Sequence, residues 1–541
     1  MAQIESCDVL VIGAGAGGLA AAIAAAHSGA NVIVAEGADK IGGAAAYSGG
    51  QVWVGLSDPA AEAGIADSRA DVESYLEWLS EGGADPALRQ VYIDRGPEAI
   101  RFLRERGVPL TVARHSPDYY YPVAPGSKPE GRIHEIEPWD QRQLGALIDR
   151  VATSPYGAGW LSTQDRVECG GQAPTPELEV RRLRHMKRGE RCGGPGLAAA
   201  LAKSAADHGA TFFTSTRAVR LLSGSGRVTG AIVRDASGER EIQARFGVII
   251  ATGGYDWNAE KQWELDKISG LKSMAPITTR GDHFKLTREF SAAVAVVRQP
   301  HTSGAVFGTH TPGEYRDGEP VFRYFTPGLP HSIVVNAAGR RFADDAFHMS
   351  LVEGVSGGRA NGRHNWPAWV IVDQAYLDKY PVGAIAPGGP IPAGMAIFGD
   401  TIEEMARAAG IDGDGLAAEL RRFNEFAATG VDRDFGRGTL PYTRALHGDP
   451  RMPNPNLGAL AEPPFAAFPL TRVGVNCPAA GLVTGINGEV RDEAGRLIPG
   501  LYAAGNCSAQ LDIGVGYNSG MGNQRGLLYG YLAATAISKS A

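Results

Sequence analysis

Residues 7–36, CDVLVIGAGAGGLAAAIAAAHSGANVIVAE, leave few folds open to the chain. Val9 to Ile12 is continuously apolar and rich in β-branched side chains, which predicts a short strand buried on both faces. Gly13, Gly15 and Gly18 place a G-x-G-x-x-G pattern at the end of that strand and open directly into an alanine-rich helix. Gly13 allows the tight turn. Gly15, followed by Ala16 and Gly17, lets main chain approach a pyrophosphate, and Gly18 lets the helix pack close to the strand with its N-terminus aimed at the anion. Gly29 stops the helix, and Asn31 to Ala35 is a second apolar strand ending at Glu36, where an acid would hold a ribose hydroxyl pair. A glycine pattern alone is weak, but strand, glycines, helix, strand and acid in this order predict a dinucleotide site. The alternative is a glycine-rich turn without function.

The stretch just after Glu36 decides which dinucleotide is expected. Gly42, Gly43, Ala44, Ala45, Ser48, Gly49 and Gly50 form a second small-residue cluster there. A nicotinamide enzyme would be expected to proceed to its next βα unit. A backbone-lined channel this close suits an extended cofactor, which favours FAD bound lengthwise; a flexible loop is the alternative. Further approaches of main chain are expected at Ala218 and Val219 on a strand, at Ala251-Thr252-Gly253 ending another, and at Gly505-Asn506 after Leu501-Tyr502-Ala503-Ala504. A glycine-rich loop through Gly514, Gly516, Gly520 and Gly522 then opens a final helix. Its N-terminus is expected to face the flavin's pyrimidine end, where negative charge gathers on reduction. No tethering His or Cys is identified by spacing, so the FAD is expected to be noncovalent.

With 541 residues the chain is long enough for two domains. The expected class is α/β with an α+β insert: a Rossmann-like FAD-binding domain in two parts, residues 1–274 and 455–541, around a substrate domain at 275–454 that is rich in proline and scattered aromatics. Helices are expected near 70–79, 97–106, 193–209, 402–409 and 416–428. Pro117 to Pro122, with three consecutive tyrosines between prolines, is expected to be a pocket-lining loop or ordinary loop packing. A net charge of −7 gives no electrostatic footprint for nucleic acid or an anionic membrane. The five cysteines lie far apart without a C-x-x-C pair, so neither a metal site nor a disulfide framework is expected, and a reducing, cytoplasmic setting fits best. The opening MAQIESCDVLVIG is taken as the first strand rather than a signal peptide, and no window has the ~20 apolar residues of a membrane span.

Together the glycine turn, Glu36, Gly42-Gly43, Ser48-Gly49-Gly50, Ala251-Thr252-Gly253-Gly254 and Gly500 to Asn506 resemble the fumarate reductase flavoprotein superfamily over nearly the whole chain. Pro117-Asp118-Tyr119, Val334-Val335-Asn336 to Arg341-Phe342, Gly430 to Gly438, and Tyr517 within Gly516 to Gly520 resemble its 3-ketosteroid Δ1-dehydrogenase and cyclic-ketone dehydrogenase branch. That resemblance implies removal of an α-proton and transfer of a β-hydride to FAD, followed by reoxidation by an external acceptor. It makes Tyr517 the donor to the carbonyl, with a backbone N–H near Gly520 to Gly522, and Tyr119 a pocket tyrosine supporting the base. The tyrosine that the family carries after Arg-Phe is replaced by Ala343-Asp344-Asp345-Ala346-Phe347-His348-Met349. His348, a structural histidine in the alternative view, and Tyr120 or Tyr121 are the candidate replacements. The substrate is then a cyclic, largely apolar ketone, a 3-ketosteroid or a cyclohexanone-type compound.

Two other functions compete. A soluble enoate reductase of the fumarate or urocanate type needs cationic clamps for a carboxylate. Only Gln299-Pro300-His301-Thr302 and Arg525 speak for it, and Arg525 is as well explained as a capping or surface arginine. A non-catalytic flavin-carrying binding protein needs a basic stripe, and Arg181 to Arg188 comes nearest to one. Oligomeric state is not legible.

Overall fold

A run of buried aliphatic residues followed by glycine does set the first strand and everything hung on it. In the computed structural model, which describes residues 4–157, 159–297, 304–325, 328–357 and 365–539, the first strand β1 is Ile4–Ile12. It is followed by α1 (Ala16–His27), β2 (Val32–Ala35), the short α2 (Gly43–Tyr47), α3 (Gly193–Asp207), β3 (Thr211–Phe213), β4 (Arg217–Gly224), β5 (Arg227–Asp235) and β6 (Gly238–Ile250). The chain returns with β7 (Glu489–Arg491), β8 (Leu497–Ala503) and α4 (Met521–Lys539). These strands form an eight-stranded sheet in the order β7-β8-β6-β1-β2-β3, and β5 pairs with both β6 and β4. Val9 to Ile12 lie parallel between Val32 to Ala35 and Gly247 to Ile250, so both neighbours are buried strands. Gly18 is fixed by close approach: a Cβ there would lie 1.9 Å from the Gly13 carbonyl oxygen.

Expected helix limits hold apart from the second. That helix spans Pro86–Arg104 and runs through Pro97, because Asp85 caps it by accepting from the Ala87 and Leu88 amides. A proline is admissible at N1, and here Pro86 rather than Pro97 marks the start.

The insert is built on alternation. Strands Ser332–Asn336, Ala368–Val372, Phe465–Pro469 and Ile397–Gly399 form one sheet in that order. Ile333, Val335, Trp369 and Ile371 point to one face and pack on Met405, Leu416, Leu420 and Phe423 of helices Ile402–Ala409 and Gly413–Thr429. Val334, Val370, Val372 and Phe468 face the other way, onto Phe307, Phe325 and Tyr376. A second sheet joins Lys272–Ser273, Thr471–Cys477, Gly304–Arg316 and Glu319–Tyr324. Phe465–Pro469 and Thr471–Cys477, both beyond residue 454, thus take their places in these two sheets. Apolar strands carry no local sign of the sheet they will join.

Charges fix the segment that follows the strand Ser332–Asn336. Arg341 is buried and pairs with Asp345 at 2.8 Å and Asp432 at 2.7 Å. Arg437 pairs with Asp345 at 3.1 Å and donates to the carbonyls of Ser332, Leu329 and Asn456. Asp432 also accepts from the amides of Asp434, Phe435 and Arg437, which builds the Gly430–Gly438 loop around one carboxylate. Burial raises the carboxyls of Asp345 and Asp432, but the guanidinium groups more than offset it and hold both below the ordinary carboxylate range. Removing one member of such a network leaves buried charge uncompensated, at a cost of about 3 kcal/mol or more. Arg437→Met should therefore lower the thermal unfolding midpoint measurably in a circular dichroism melt; an unchanged midpoint would show the network to be dispensable.

Candidate active site

The turn after β1 opens onto a cavity of about 210 Å³. Gly13, Gly15, Ala16 and Gly17 line it at one end with Glu36. Gly43, Ala44, Ala45, Ser48, Gly49 and Gly50 form its flank, and Ala218, Ala251, Thr252, Gly253, Gly505, Asn506, Gly520 and Gly522 complete it. Three of the expected cofactor residues lie outside the lining. Gly18 faces the strand, and Gly42 donates its amide to the Ala14 carbonyl at 2.9 Å, tying the second cluster to the first turn. Val219 follows Ala218 on β4 and so points to the opposite face.

The donor set fits a dinucleotide. Gly43 has a positive φ of 53°, and a Cβ there would lie 2.9 Å from the Gly15 Cα, so the channel exists only because both clusters lack side chains. Glu36 accepts from the Ala14 amide at 2.6 Å and the Ala38 amide at 2.8 Å, and each oxygen keeps a lone pair for a ribose hydroxyl. Burial raises its carboxyl, and those two amides pull it back. Thr216, Arg217, Asp282, Asn476, Ser519 and Asn523 also line the cavity and had no local sequence signal, because they are brought together from four separate parts of the chain. Arg217 and Asp282 close the rim near Glu36 as an ion pair at 2.6 Å.

A second cavity of about 330 Å³ shares Ala44, Ser48, Gly49, Val475, Cys477, Tyr517 and Ser519 with the first. Its other walls carry Tyr119, Tyr324, Tyr442, His348, His447, Gln172, Met274, Val306 and Met349. The Asp118 carboxylate anchors the Tyr119 loop by accepting from the Trp53 indole at 2.7 Å, the Lys128 amide at 2.9 Å and Arg132 at 3.1 Å. Arg132 is shared with Asp67 at 2.8 Å. The buried Asn518 side-chain oxygen accepts from the Tyr119 amide at 2.8 Å and from the Tyr75 hydroxyl at 2.6 Å. The Tyr119 loop and the Tyr517 loop are thereby joined, with their rings 6.1 Å apart.

Tyr120 does not reach either cavity lining; it packs between Trp78, at 4.9 Å, and Phe347, at 5.3 Å. His348 does line the second cavity. Burial, reinforced by His447, pulls its imidazole down to about 3, which keeps it neutral. Burial pushes the Tyr119 phenol up to about 12, against hydrogen bonds from Tyr442 and Ser519 that favour its ionised form. The Tyr442 phenol is driven further up, by burial and by Tyr119 itself.

The features that spoke for other functions have structural partners. Arg525 is buried and pairs with Asp512 at 2.7 Å while donating to the Ala509 carbonyl at 2.8 Å, so it is neither a carboxylate clamp nor a surface residue. Residues 299–302 lie outside the described residues. In the basic run, Arg181 pairs with Glu168, Asp165 and Glu177, Arg182 with Glu179, and His185 lies buried between Asp165 and Glu190. No helix among the described residues is long and apolar enough to cross a membrane.

A glycine-lined dinucleotide channel that shares a wall with a tyrosine-rich cavity has the arrangement of a flavoprotein. The chain matches the FAD binding domain family over residues 8–524 and belongs to it. It is 33% identical to the 3-oxosteroid 1-dehydrogenase of Mycobacterium tuberculosis, over 99% of both chains. It is 34% identical to the 4-oxocyclohexanecarboxylate 2-dehydrogenase of Sinomonas cyclohexanicum, over 99% of this chain and 93% of that one. The crystal structure of 3-ketosteroid Δ1-dehydrogenase from Sterolibacterium denitrificans in complex with 1,4-androstadiene-3,17-dione superposes with a TM-score of 0.90 at 26% identity, covering 99% of this chain and 100% of that one. The fold expected from the sequence, a Rossmann-like FAD-binding unit carrying an insert, is the fold observed.

Two substitutions separate the cradle from the chamber. Glu36→Ala should reduce the flavin absorbance that copurifies with the protein, and full flavination would remove Glu36 from the ribose site. Asn518→Leu should leave flavin content unchanged but lower turnover at least ~tenfold, since two buried donors lose their acceptor; unchanged turnover would separate the tyrosine loops from activity.

Proposed function

We propose that the protein is an FAD-dependent dehydrogenase that introduces a carbon–carbon double bond beside the carbonyl of a neutral, largely apolar cyclic ketone. The observation that carries the substrate class is the second cavity's wall. Among its described lining residues are phenols, imidazoles, an amide and thioethers, but no Lys, Arg, Asp or Glu. His348 and His447 are both held towards the neutral form by burial. Such a chamber offers hydrogen bonds to a carbonyl and apolar contact to a ring, and it offers no counter-charge to a carboxylate.

An α-proton is too weakly acidic to leave unless the carbonyl oxygen is stabilised as it gains enolate character. Tyr517 stands on the wall common to both cavities and would donate its hydroxyl to that oxygen, with the Gly520 amide as the second donor. One such donor is worth about 3–4 kcal/mol in the transition state. FAD, when bound, supplies the acceptor for the β-hydride. The cradle would hold it noncovalently, through main-chain amides at the start of α1, Glu36 and the first turn of α4, where the helix N-terminus favours negative charge. An external acceptor would then reoxidise the cofactor. A reducing, cytoplasmic setting belongs to this reading, since the five cysteines lie far apart in the sequence without a C-x-x-C pair.

Anaerobic mixing of the yellow protein with cyclohexanone-type ketones, 3-ketosteroids, 4-oxocyclohexanecarboxylate and succinate tests the assignment. Neutral ketones should bleach the flavin faster than the keto acid, and succinate should leave it oxidised. Faster bleaching by the keto acid would overturn the neutral substrate class, and reoxidation of reduced protein by fumarate without any bleaching by ketones would make it an enoate reductase. Tyr517→Phe should slow bleaching by ~tenfold or more with flavin retained.

A further inference from the structure

Desaturation beside a carbonyl needs a base on the chamber wall, and the segment after Arg341-Phe342 supplies none but His348. Resting on the ketone assignment above, we infer that Tyr119 removes the α-proton and that Tyr442, brought in by the helix Pro441–His447, is the donor that holds the Tyr119 phenolate. The helix begins at Pro441 and turns Tyr442 inwards, so that its ring lies 4.2 Å from that of Tyr119, centroid to centroid. Tyr119 is where the chamber's elements converge. His348 lies 5.4 Å from it and Tyr517 6.1 Å, and its own amide is pinned by Asn518. The titratable groups facing it are Tyr442, His348, Tyr517, Tyr324 and Cys477, with Tyr120 beside it on its own loop.

No carboxylate is among the described lining residues, which leaves phenols, imidazoles and the Cys477 thiol. An imidazole with a pKa of about 3 has little affinity for a proton, so His348 is a poor base although it is correctly placed. Tyr119 is the phenol against which the Tyr442 ring is seated, at 4.2 Å, and its value of about 12 falls below those of Tyr324 and Tyr442. In the step itself the α C–H bond breaks. Its electron pair enters the enolate stabilised by Tyr517 and Gly520, and the proton forms a new O–H bond at Tyr119 Oη. Later release of that proton to solvent restores the phenolate, which Tyr442 again stabilises by donating its hydroxyl hydrogen.

The base must be deprotonated to act, and a group titrating near 12 becomes more so as pH rises. The rate should climb about tenfold per unit from about pH 6 to about pH 10, whereas a base titrating near 3 would give a flat profile. The experiment uses the holoprotein with its flavin kept reduced, so that hydride cannot be taken up, and monitors deuterium washout from the α-position of an α-deuterated cyclohexanone-type ketone. Flavin bleaching by the same ketone is measured in parallel on oxidised protein. Tyr119→Phe should lose ~hundredfold or more in both. Tyr442→Phe should lose ~tenfold and displace the profile to higher pH by about one unit, the cost of one lost donor. His348→Gln should retain the slope. Washout and bleaching that persist in Tyr119→Phe, or a profile unmoved in Tyr442→Phe, would overturn the pair, as would their abolition in His348→Gln alone. Parent protein that no ketone bleaches would instead defeat the dehydrogenase assignment.

Discussion

The Asn518 side-chain oxygen has two buried donors to satisfy, and the chamber depends on that. The Tyr119 amide and the Tyr75 hydroxyl both end on it, from segments roughly four hundred residues away along the chain. One neutral acceptor suits the place. A carboxylate would bring an unpaired charge into a fully buried position, and an aliphatic side chain would leave both donors without partners. The next residue towards the N-terminus is Tyr517, so the same atom that sets the Tyr119 loop also sets the distance between the two tyrosines. Asp118, held by Trp53, Lys128 and Arg132, secures the loop from the other side. Tyr119 therefore owes its position to an amide and a carboxylate that never meet substrate.

The insert uses charge to the same end. Arg341, Asp345, Asp432 and Arg437 neutralise one another in a fully buried place, and the aromatic faces of Phe423 and Phe435 lie 5.0 and 5.2 Å from Arg341. Asp345 also accepts from the Val334 amide, which couples the network to the insert's sheet. Phe347 and His348 come two and three residues after Asp345 and are carried against Tyr119. The stretches that resemble ketosteroid dehydrogenases at Arg341-Phe342 and Gly430 to Gly438 are thus scaffold. They hold the segment's course even though its side chains have changed, which is how the chain can lack the tyrosine after Arg-Phe and still place His348 at the chamber.

Features governed by neighbours in sequence were legible. Glycine spacing, β-branched runs and the acid closing β2 are local, and the residues they pick out line one cavity, apart from Gly18, Gly42 and Val219, whose atoms turn the other way. Features set by long-range packing were not. Nothing near Tyr442 distinguishes it from a core aromatic, because its meaning comes from Tyr119, more than three hundred residues before it. The true start of helix Pro86–Arg104 was hidden by a second proline, and the pairing of the strands Phe465–Pro469 and Thr471–Cys477 by partners that lie far back in the chain. Arg525 read as a possible clamp until its partner Asp512 was placed 2.7 Å away.

The cofactor channel and the substrate chamber are separated by a single layer of residues, with Ser48, Gly49, Tyr517 and Ser519 exposed to both sides. A party wall of that kind cannot be remodelled for one tenant alone. Any side chain enlarged there to grip a smaller ring would also press on the flavin's berth. With the ketone in the second cavity as proposed, diversification towards new ketones, whether by evolution or in the laboratory, is thereby channelled to its opposite side, where Gln172, Met274, Val306 and Met349 line that cavity alone. The thioether side chains at Met274 and Met349 are flexible and unbranched, and so are suited to adjusting to rings of different outline.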